Sequence, residues 1–343
     1  MTSDPNPVGL RSRPRPTRDQ RKALLEALAE YQQPAIALEV VRPSLPQGFE
    51  PQAVTCSLKS LHPDRFVLHV NVHPSAGRDQ GYALKVYSDD FGEQIWALMR
   101  NVAERYRSSG DGFCLPACYL PLRRTLVSPW VEGVRLSDVV DARKPELLRR
   151  AARLAAELHR LPLADVPPLT AAMLVAETLD RCGRLRYRWP TMAATMEPLL
   201  SLVMEAAQGL HPVAPTVVHG DLAAGQFLWT GERLVLLDLD AARRADPAYD
   251  VGHFLGQLER RCTLDANLPA HAGEWLSCFR ETYRAAMPGV RWRNVSFYQG
   301  LTLVRKIDTL CRRDPLGGPR LAIRLAERAR AALESVLPVG CDR

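Results

Sequence analysis

Between Val217 and Gly252 the chain reads VVHGDLAAGQFLWTGERLVLLDLDAARRADPAYDVG. Asp221, Glu232, Asp238, Asp240, Asp246 and Asp250 crowd this run together with His219 and Gln226. "TVVHGDL" is apolar and β-branched and stops at a Gly-Asp pair, so Asp221 falls in a loop just past a strand. "QFLW" and "RLVLLDL" flank "TGE" as two strands flank a tight turn. With Trp229 opposite Arg233, Gln226 faces Leu236, two residues from Asp238. A strand rise of about 3.3 Å per residue then brings Gln226 and Asp238 within roughly 7 Å. An amide oxygen and a carboxylate at that separation can share a hard cation, while Asp221 can take a proton from a hydroxyl. One base and two oxygen ligands suit phosphoryl transfer, because Mg²⁺ asks for a few protein oxygens plus phosphate oxygens.

The elements that must position these residues are legible in outline. "DQRKALLEALAEYQ" has Leu24, Leu25, Leu28 and Tyr31 at helical spacing after Asp19 as N-cap. "AVTCSLKSL", "RFVLHVNVH" and "GYALKVY" read as three strands of an antiparallel meander, separated by the turn formers "HPD" and "PSAGRDQ". "FGEQIWALMRNVAERYR" places Ile95, Leu98, Met99 and Val102 on one helical face, packed on that sheet. "YLPLRRTLVSPW" reads as one more strand, leading into a connector over "VEGVRLSDVV". From Pro145 the pattern turns helical, and "PELLRRAARLAAELHRL" carries a stripe of Leu147, Leu148, Ala151, Leu154, Ala155 and Leu158. The fold class expected is α+β and bilobal, with a small antiparallel sheet and a helix in one lobe and a mainly helical second lobe. The boundaries are a basic Pro/Arg-rich arm over 1–17, an N-lobe over 18–127, a hinge over 128–134 and a C-lobe over 135–343. A cleft between such lobes is where ligand pockets favour forming.

Composition narrows the partners. With 343 residues, 46% hydrophobic and 24% charged, the chain has the make-up of a soluble globular protein with a sizeable core. No run approaches the ~20 apolar residues of a membrane span, and the first residues lack the apolar segment of a secretory signal, so the expected location is the cytoplasm and no membrane partner is expected. Eight scattered cysteines suit reduced thiols, and "CLPAC" has no second Cys or His pair at zinc spacing. The formal charge of +7 comes from 45 Lys+Arg against 38 Asp+Glu. The arginines are spread over helices without a helix-turn-helix, zinc finger or RNP motif, which argues for solvated faces and against nucleic acid.

"HGDLAAGQ", followed seventeen residues after its Asp by "LLDLD" and then by "DPAYDVGHFL", resembles the aminoglycoside phosphotransferase family, members of the protein-kinase-like fold. "SPWVEGVRLSD" is similar to that family's inter-lobe hinge, "LAAELHRLP" to the helix before its catalytic loop, "YALKVY" to its third-strand lysine motif, and "FRETYRAA" to a C-lobe helix. The resemblance covers residues 50 to 330 or so and implies an ATP-dependent small-molecule phosphotransferase using Mg²⁺, with GTP left open as donor. It implies Asp221 as catalytic base, Gln226 where the family has an Asn metal ligand, Asp238 on the Mg²⁺, and Lys85 on the α/β-phosphates. The partner implied for Lys85 is a carboxylate of the next helix, Glu93 first and Glu104 in reserve. His219 and Asp250 would support the loop, with Asp250 accepting from its backbone. Trp130 and Val131 would meet adenine, by apolar packing and through their backbone groups.

Bland roles stand beside these. Asp240 and Asp246 line the substrate entrance or serve as turn and cap residues next to Pro247, and His253 reads as a packing residue rather than a second base. The turn in "SLKSLHPDRF" has no glycine where kinases bring backbone amides to phosphate, and Gln226 is one methylene longer than the family's Asn. These departures motivate the alternative of a catalytically weak, partner-binding kinase-like protein. The acceptor expected is a small hydroxylated molecule. Asp265, Glu274, Glu281, Asp308 and Asp314 form no acidic cluster among the arginines of the C-terminal half, which favours a neutral or anionic metabolite or sugar over a polycationic antibiotic. A monomer or homodimer is expected.

Overall fold

The computed structural model describes residues 15–106, 110–162 and 166–337. All but the last three residues of the expected arm lie outside them. In chain order the helices and strands are α1 (Arg18–Tyr31), α2 (Pro34–Val41), β1 (Pro51–Leu61), β2 (Arg65–Pro74), β3 (Gln80–Tyr87), α3 (Phe91–Arg105), β4 (Gly112–Phe113), β5 (Cys118–Leu120), β6 (Thr125–Pro129) and β7 (Val134–Arg135). There follow α4 (Lys144–Arg160), α5 (Ala171–Gly183), α6 (Leu185–Arg188), α7 (Ala193–Gln208), β8 (Thr216–Val218), β9 (Phe227–Trp229), β10 (Leu234–Leu236), β11 (Arg243–Ala245), α8 (Ala248–Leu264), α9 (Ala272–Ala286), α10 (Trp292–Arg313) and α11 (Gly318–Glu334). Among the described residues no helix is long and apolar enough to cross a membrane.

The described residues form two compact units, one within 15–134 with Leu228–Asp240, the other within Arg135–Phe227 and 241–337. The segment 228–240, and Asp238 with it, therefore belongs with the N-terminal unit rather than with the rest of 135–343. Hydrogen bonding explains the exchange: β10 runs parallel to β4, with Val235 opposite Gly112 and Leu236 opposite Phe113. The Leu234 N–H also donates to Asp111 Oδ1 at 2.7 Å.

In the N-terminal unit the sheet order is β1-β2-β3-β6-β5, antiparallel throughout. Alternation decides its two faces. Phe66, Leu68, Val70 and Val72 of β2 and Tyr82, Leu84 and Val86 of β3 are buried against Leu24, Leu28 and Tyr31 of α1 and Ala37, Val40 and Val41 of α2. Lys85 must then emerge on the opposite face, from the central strand, between Val67 and Leu126.

Three local expectations need correction here. The cap of α1 is Thr17, not Asp19: its side chain accepts from Gln20 N–H while the Gln20 side chain accepts from Thr17 N–H, a reciprocal capping box. Leu25 is 45% exposed and outside the stripe. "YLPLRRTLVSPW" is a hairpin rather than one strand, because Pro121 opens a 3₁₀ turn and Arg124 reverses the chain at φ 47°.

In the C-terminal unit the expected α4 stripe is buried in full. The central helix α10 buries Val295, Phe297, Tyr298, Leu301, Leu303, Val304, Ile307 and Cys311, as a helix does when neighbours cover most of its girth. Gly252 lets α8 approach it, since a Cβ there would lie 2.6 Å from Tyr298 Cβ and from Val295 O.

Lys144, at the first position of α4, is fully buried. Its ammonium donates to Leu136 O and sits 5.1 Å from the centre of the Trp275 ring. Burial, and secondly the charge of Arg261, pull its pKa down to about 8; the positive end of the helix dipole acts in the same direction. The unfolded chain keeps this proton to about pH 10, whereas the folded chain sheds it near 8, so rising pH favours folding across that window. Between pH 7 and 10 the stability of the native protein relative to Lys144→Met should therefore rise, by on the order of 3 kcal/mol at the limit, in urea melts.

Candidate active site

In the C-terminal unit the site is built on the loop after β8. Strand β8 pairs with β11, Val218 opposite Arg243, and delivers His219, Gly220 and Asp221 at its end. Asp250, in the first turn of α8, is completely buried, and its carboxylate accepts from the backbone N–H of His219 at 2.5 Å and of Gly220 at 3.0 Å. The same carboxylate meets His159 Nε2 at 3.0 Å, and His159 Nδ1 lies 2.6 Å from the Tyr283 hydroxyl. With Nε2–H donating to the carboxylate, Nδ1 accepts from the phenol. Burial raises the Tyr283 pKa, so that phenol keeps its proton. Burial alone would raise Asp250 as well; the His159 hydrogen bond and charge, with His219, outweigh it and hold the carboxyl below its ordinary value. Asp250 thus serves the loop backbone as an acceptor, and His159 and Tyr283 complete its shell.

A second clamp comes from the residue before Asp250. The Tyr249 hydroxyl donates to Gly220 O at 3.2 Å, and burial pushes its pKa up to about 12. Gly220 has φ +82°, and a Cβ there would lie 1.9 Å from Ala241 O. His219 is fully buried, and its Nδ1 accepts from the Asp221 N–H at 3.3 Å, which fixes the carboxylate-bearing residue.

Asp221 is 30% exposed through its side chain, and Oδ1 lies 3.3 Å from His253 Nε2. His253 Nδ1 is 3.2 Å from Thr302 Oγ1. Burial lowers the His253 pKa against the opposing pull of Asp221, which favours the neutral ring; its Nε2 also lies 3.3 Å from Gln257 Nε2. The packing role expected of His253 is thereby specified as a direct contact with the carboxylate. Asp221 opens on a cavity of about 340 Å³ lined also by Tyr249, His253, Gln257 and Thr302. Asp246 is a cap, accepting from Ala248 N–H at 2.9 Å and from Asn294 Nδ2 at 2.7 Å. Gln226 ends the 3₁₀ turn Ala224–Gln226, its N–H bonded to Ala223 O.

In the N-terminal unit a different cluster surrounds Lys85. Its ammonium lies 2.7 Å from Asp238 Oδ1 and 2.7 Å from Asp240 Oδ2. These two carboxylates replace the expected helix partner. Glu93 is exposed in the first turn of α3, and Glu104 pairs with Arg100 and Arg105. The reason is the exchange of segment 228–240, which brings both aspartates into the same unit as β3. Asp238 is held at φ 61°, the left-handed region that short acidic side chains tolerate best. Asp240 also accepts from Tyr87 Oη at 3.1 Å and lies 3.9 Å from Arg65 Nε. Burial opposes the charge of Lys85, but Asp240 and Asp238 outweigh it and raise its pKa. Burial, with the neighbouring Asp238, raises Asp240. The β9–β10 turn closes one residue tighter than expected, Thr230 N–H to Arg233 O at 3.1 Å, with Gly231 at φ +100°. Trp130 stacks on His69 at 4.0 Å, its indole N–H donates to Glu132 Oε1 at 2.7 Å, and its backbone N–H already donates to Gly81 O. That N–H cannot serve as a base-pairing edge.

Arg65, Tyr87, His159 and Tyr283 were not among the expected site residues. Tyr87 follows Lys85 by two along β3 and faces Arg65 across the sheet, so alternation carried that signal. His159 lies one turn beyond Ala155 on the apolar stripe of α4, where a buried imidazole implies a partner.

A two-unit α+β chain with a strand lysine, a clamped Gly-Asp loop and a second aspartate after a hairpin has the protein-kinase-like phosphotransferase fold. The match to the phosphotransferase enzyme family (APH) spans residues 82–288, and the chain belongs to that family. Among solved structures it is similar to spectinomycin phosphotransferase APH(9)-Ia in complex with ADP and spectinomycin, at 12% identity and TM-score 0.60, covering 88% of this chain and 98% of that one. It is also similar to aminoglycoside phosphotransferase APH(4)-Ia, at 16% identity and TM-score 0.55 over 91% and 99% of the two chains. Choline kinase LicA from Streptococcus pneumoniae follows, at 12% identity and TM-score 0.56 over 88% and 99%. A comparison with curated protein sequences gives no match.

The backbone of the Asp221 loop supplies a test of its own. Gly220→Ala combines a positive φ with a backbone clash and should destabilise the protein by about 3 kcal/mol or more in chemical denaturation. Ala223→Gly, in the same loop without that constraint, should change stability by about 1 kcal/mol or less.

Proposed function

We propose that this protein transfers the γ-phosphoryl group of ATP to a hydroxyl of a small molecule, with Asp221 as catalytic base. The observation that carries this reading is the setting of Asp221: a partly exposed carboxylate on a cavity wall, its backbone fixed by His219 and its oxygen held by His253. The acceptor oxygen attacks the γ-phosphorus, and the bond to the β,γ-bridging oxygen breaks with its electron pair leaving on ADP. The hydroxyl proton passes to Asp221.

Lys85, kept charged by Asp238 and Asp240, is assigned to the ATP phosphates. Asp238, 39% exposed through its side chain, is assigned to Mg²⁺, with the amide oxygen of Gln226 as second donor. Carboxylate and amide oxygens are donor types that a hard cation taking few protein ligands accepts. When bound, Mg²⁺ supplies neutralisation of the charge on the β- and γ-phosphate oxygens. Of the segment 128–134, Val131 is assigned to adenine, while Trp130 shapes that segment through its stack on His69.

The glycine-free turn at His62–Asp64 supports one other reading, a kinase-like protein that binds nucleotide and a partner without turnover. ADP release from Mg-ATP over a panel of alcohols separates the two. Asp221→Asn should lower kcat by about 10²- to 10⁴-fold with nucleotide Kd within about threefold of native. Equal ADP release by the native protein and Asp221→Asn on every acceptor would sink the assignment. Lys85→Met should weaken nucleotide binding by about tenfold or more, the loss of one charge-assisted phosphate contact, read by fluorescence titration.

A further inference from the structure

The wall of the cavity at Asp221 carries six cationic side chains, Arg181, Arg243, Arg305, Lys306, Arg312 and Arg313, while Asp221 is the acidic residue that lines it. They come from β11, from α5 and from three turns of α10, so the charge converges from separate elements rather than along one solvated face. Two recessed carboxylates lie behind the wall. Asp308, whose side chain is 8% exposed, pairs with Arg181 and Arg312, and Glu177 pairs with Arg305 at 3.1 Å. Neither belongs to the wall, and both hold guanidinium groups in place. Even with them counted, positive charge exceeds negative around the cavity. Arg181 is further tied to Thr309 Oγ1 at 2.7 Å, and Arg305 is 12% exposed, so its charge is poorly screened by water.

We infer that the acceptor is an alcohol that itself carries an acid group, a phosphate ester or a carboxylate, whose oxyanion rests on this arginine wall while its hydroxyl meets Asp221. This rests on the reading of Asp221 as the acceptor-side base. Guanidinium forks match both oxyanions with paired hydrogen bonds, and an acid group far from the hydroxyl avoids repulsion by the Asp221 carboxylate. A polycationic acceptor would bring like charges against six others in a confined space, a cost that water cannot screen there. Gln257, Thr302 and Thr309 offer neutral hydrogen bonds for the remaining hydroxyls. In the reaction the acceptor oxygen gains the γ-phosphoryl group, ADP leaves with the electron pair of the broken bridge bond, and Asp221 takes the hydroxyl proton.

The test uses the full chain with Mg-ATP and five acceptors: glycerate and glycerol 3-phosphate as acids, glycerol as the neutral control, choline and spectinomycin as cations. Binding of the two acids without nucleotide is measured in parallel by calorimetry on the native protein and on Asp221→Asn. The expected result is that at least one acid binds and reacts with kcat/KM about tenfold or more above glycerol, with affinity falling as salt is added. The double variant Arg243→Gln/Arg313→Gln should raise KM for that acid by about tenfold while kcat moves by about threefold or less, and circular dichroism checks its fold. Which acid responds tells the phosphate ester from the carboxylate. Preference for choline or spectinomycin, or failure of both acids to bind, overturns the inference, as does a double variant that affects glycerol as much as the acid. ADP release on glycerol with no acid bound would leave the phosphotransfer reading standing and this inference refuted. Acid binding without ADP release on any acceptor would refute the phosphotransfer reading, and with it the acid's role as acceptor, leaving only an anion site on the wall.

Discussion

The carboxylate of Asp250 is the interaction on which the C-terminal unit turns. It is wholly buried, and an uncompensated buried charge costs several kcal/mol. Its compensation comes from three places: the backbone N–H groups of His219 and Gly220, and the imidazole of His159, itself bonded to Tyr283. The loop after β8, helix α4, helix α8 and helix α9 are therefore satisfied together or not at all. Asp221 inherits its position from this set without sharing its chemistry. The division of labour between two aspartates follows from burial: one oxygen pair is spent on structure, the other is left toward a cavity.

Around Lys85 the same logic runs with opposite signs. One ammonium is flanked by two carboxylates, Asp238 and Asp240, and the surplus negative charge is shared with Arg65 and the Tyr87 hydroxyl. Asp238 accepts a left-handed backbone to reach this place, and Gly220 does the same in the other unit, where only a hydrogen fits. Backbone conformations of this kind persist when the surroundings over-determine them, and they cluster where a side chain must be aimed.

Much of this was legible in the sequence. Turn formers between three β-like runs marked β1 to β3, and period 3.6 marked α3 and α4 with the stripes that the structure buries. The Gly-Asp loop and the support given by Asp250 followed from a family resemblance resting on spaced motifs. What escaped was long-range pairing. Nothing local says that β10 will lie beside β4, yet that choice moves Asp238 and Asp240 onto Lys85 and leaves Glu93 in solvent. The role of Arg124 in breaking an apparent strand was hidden for another reason, since a non-glycine residue at positive φ has no sequence mark. The arginines of α10 read as a solvated helix face, because convergence with Arg181 and Arg243 is a property of packing and not of spacing.

That convergence has a consequence for how the protein answers to acidity. Of the cationic groups on the cavity wall, five are guanidinium and one is the ammonium of Lys306. A guanidinium group keeps its charge throughout the neutral range. The positive character that the arginines give the wall is therefore insensitive to pH around neutrality. The wall behaves as a constant background field on whatever small molecule the cavity admits.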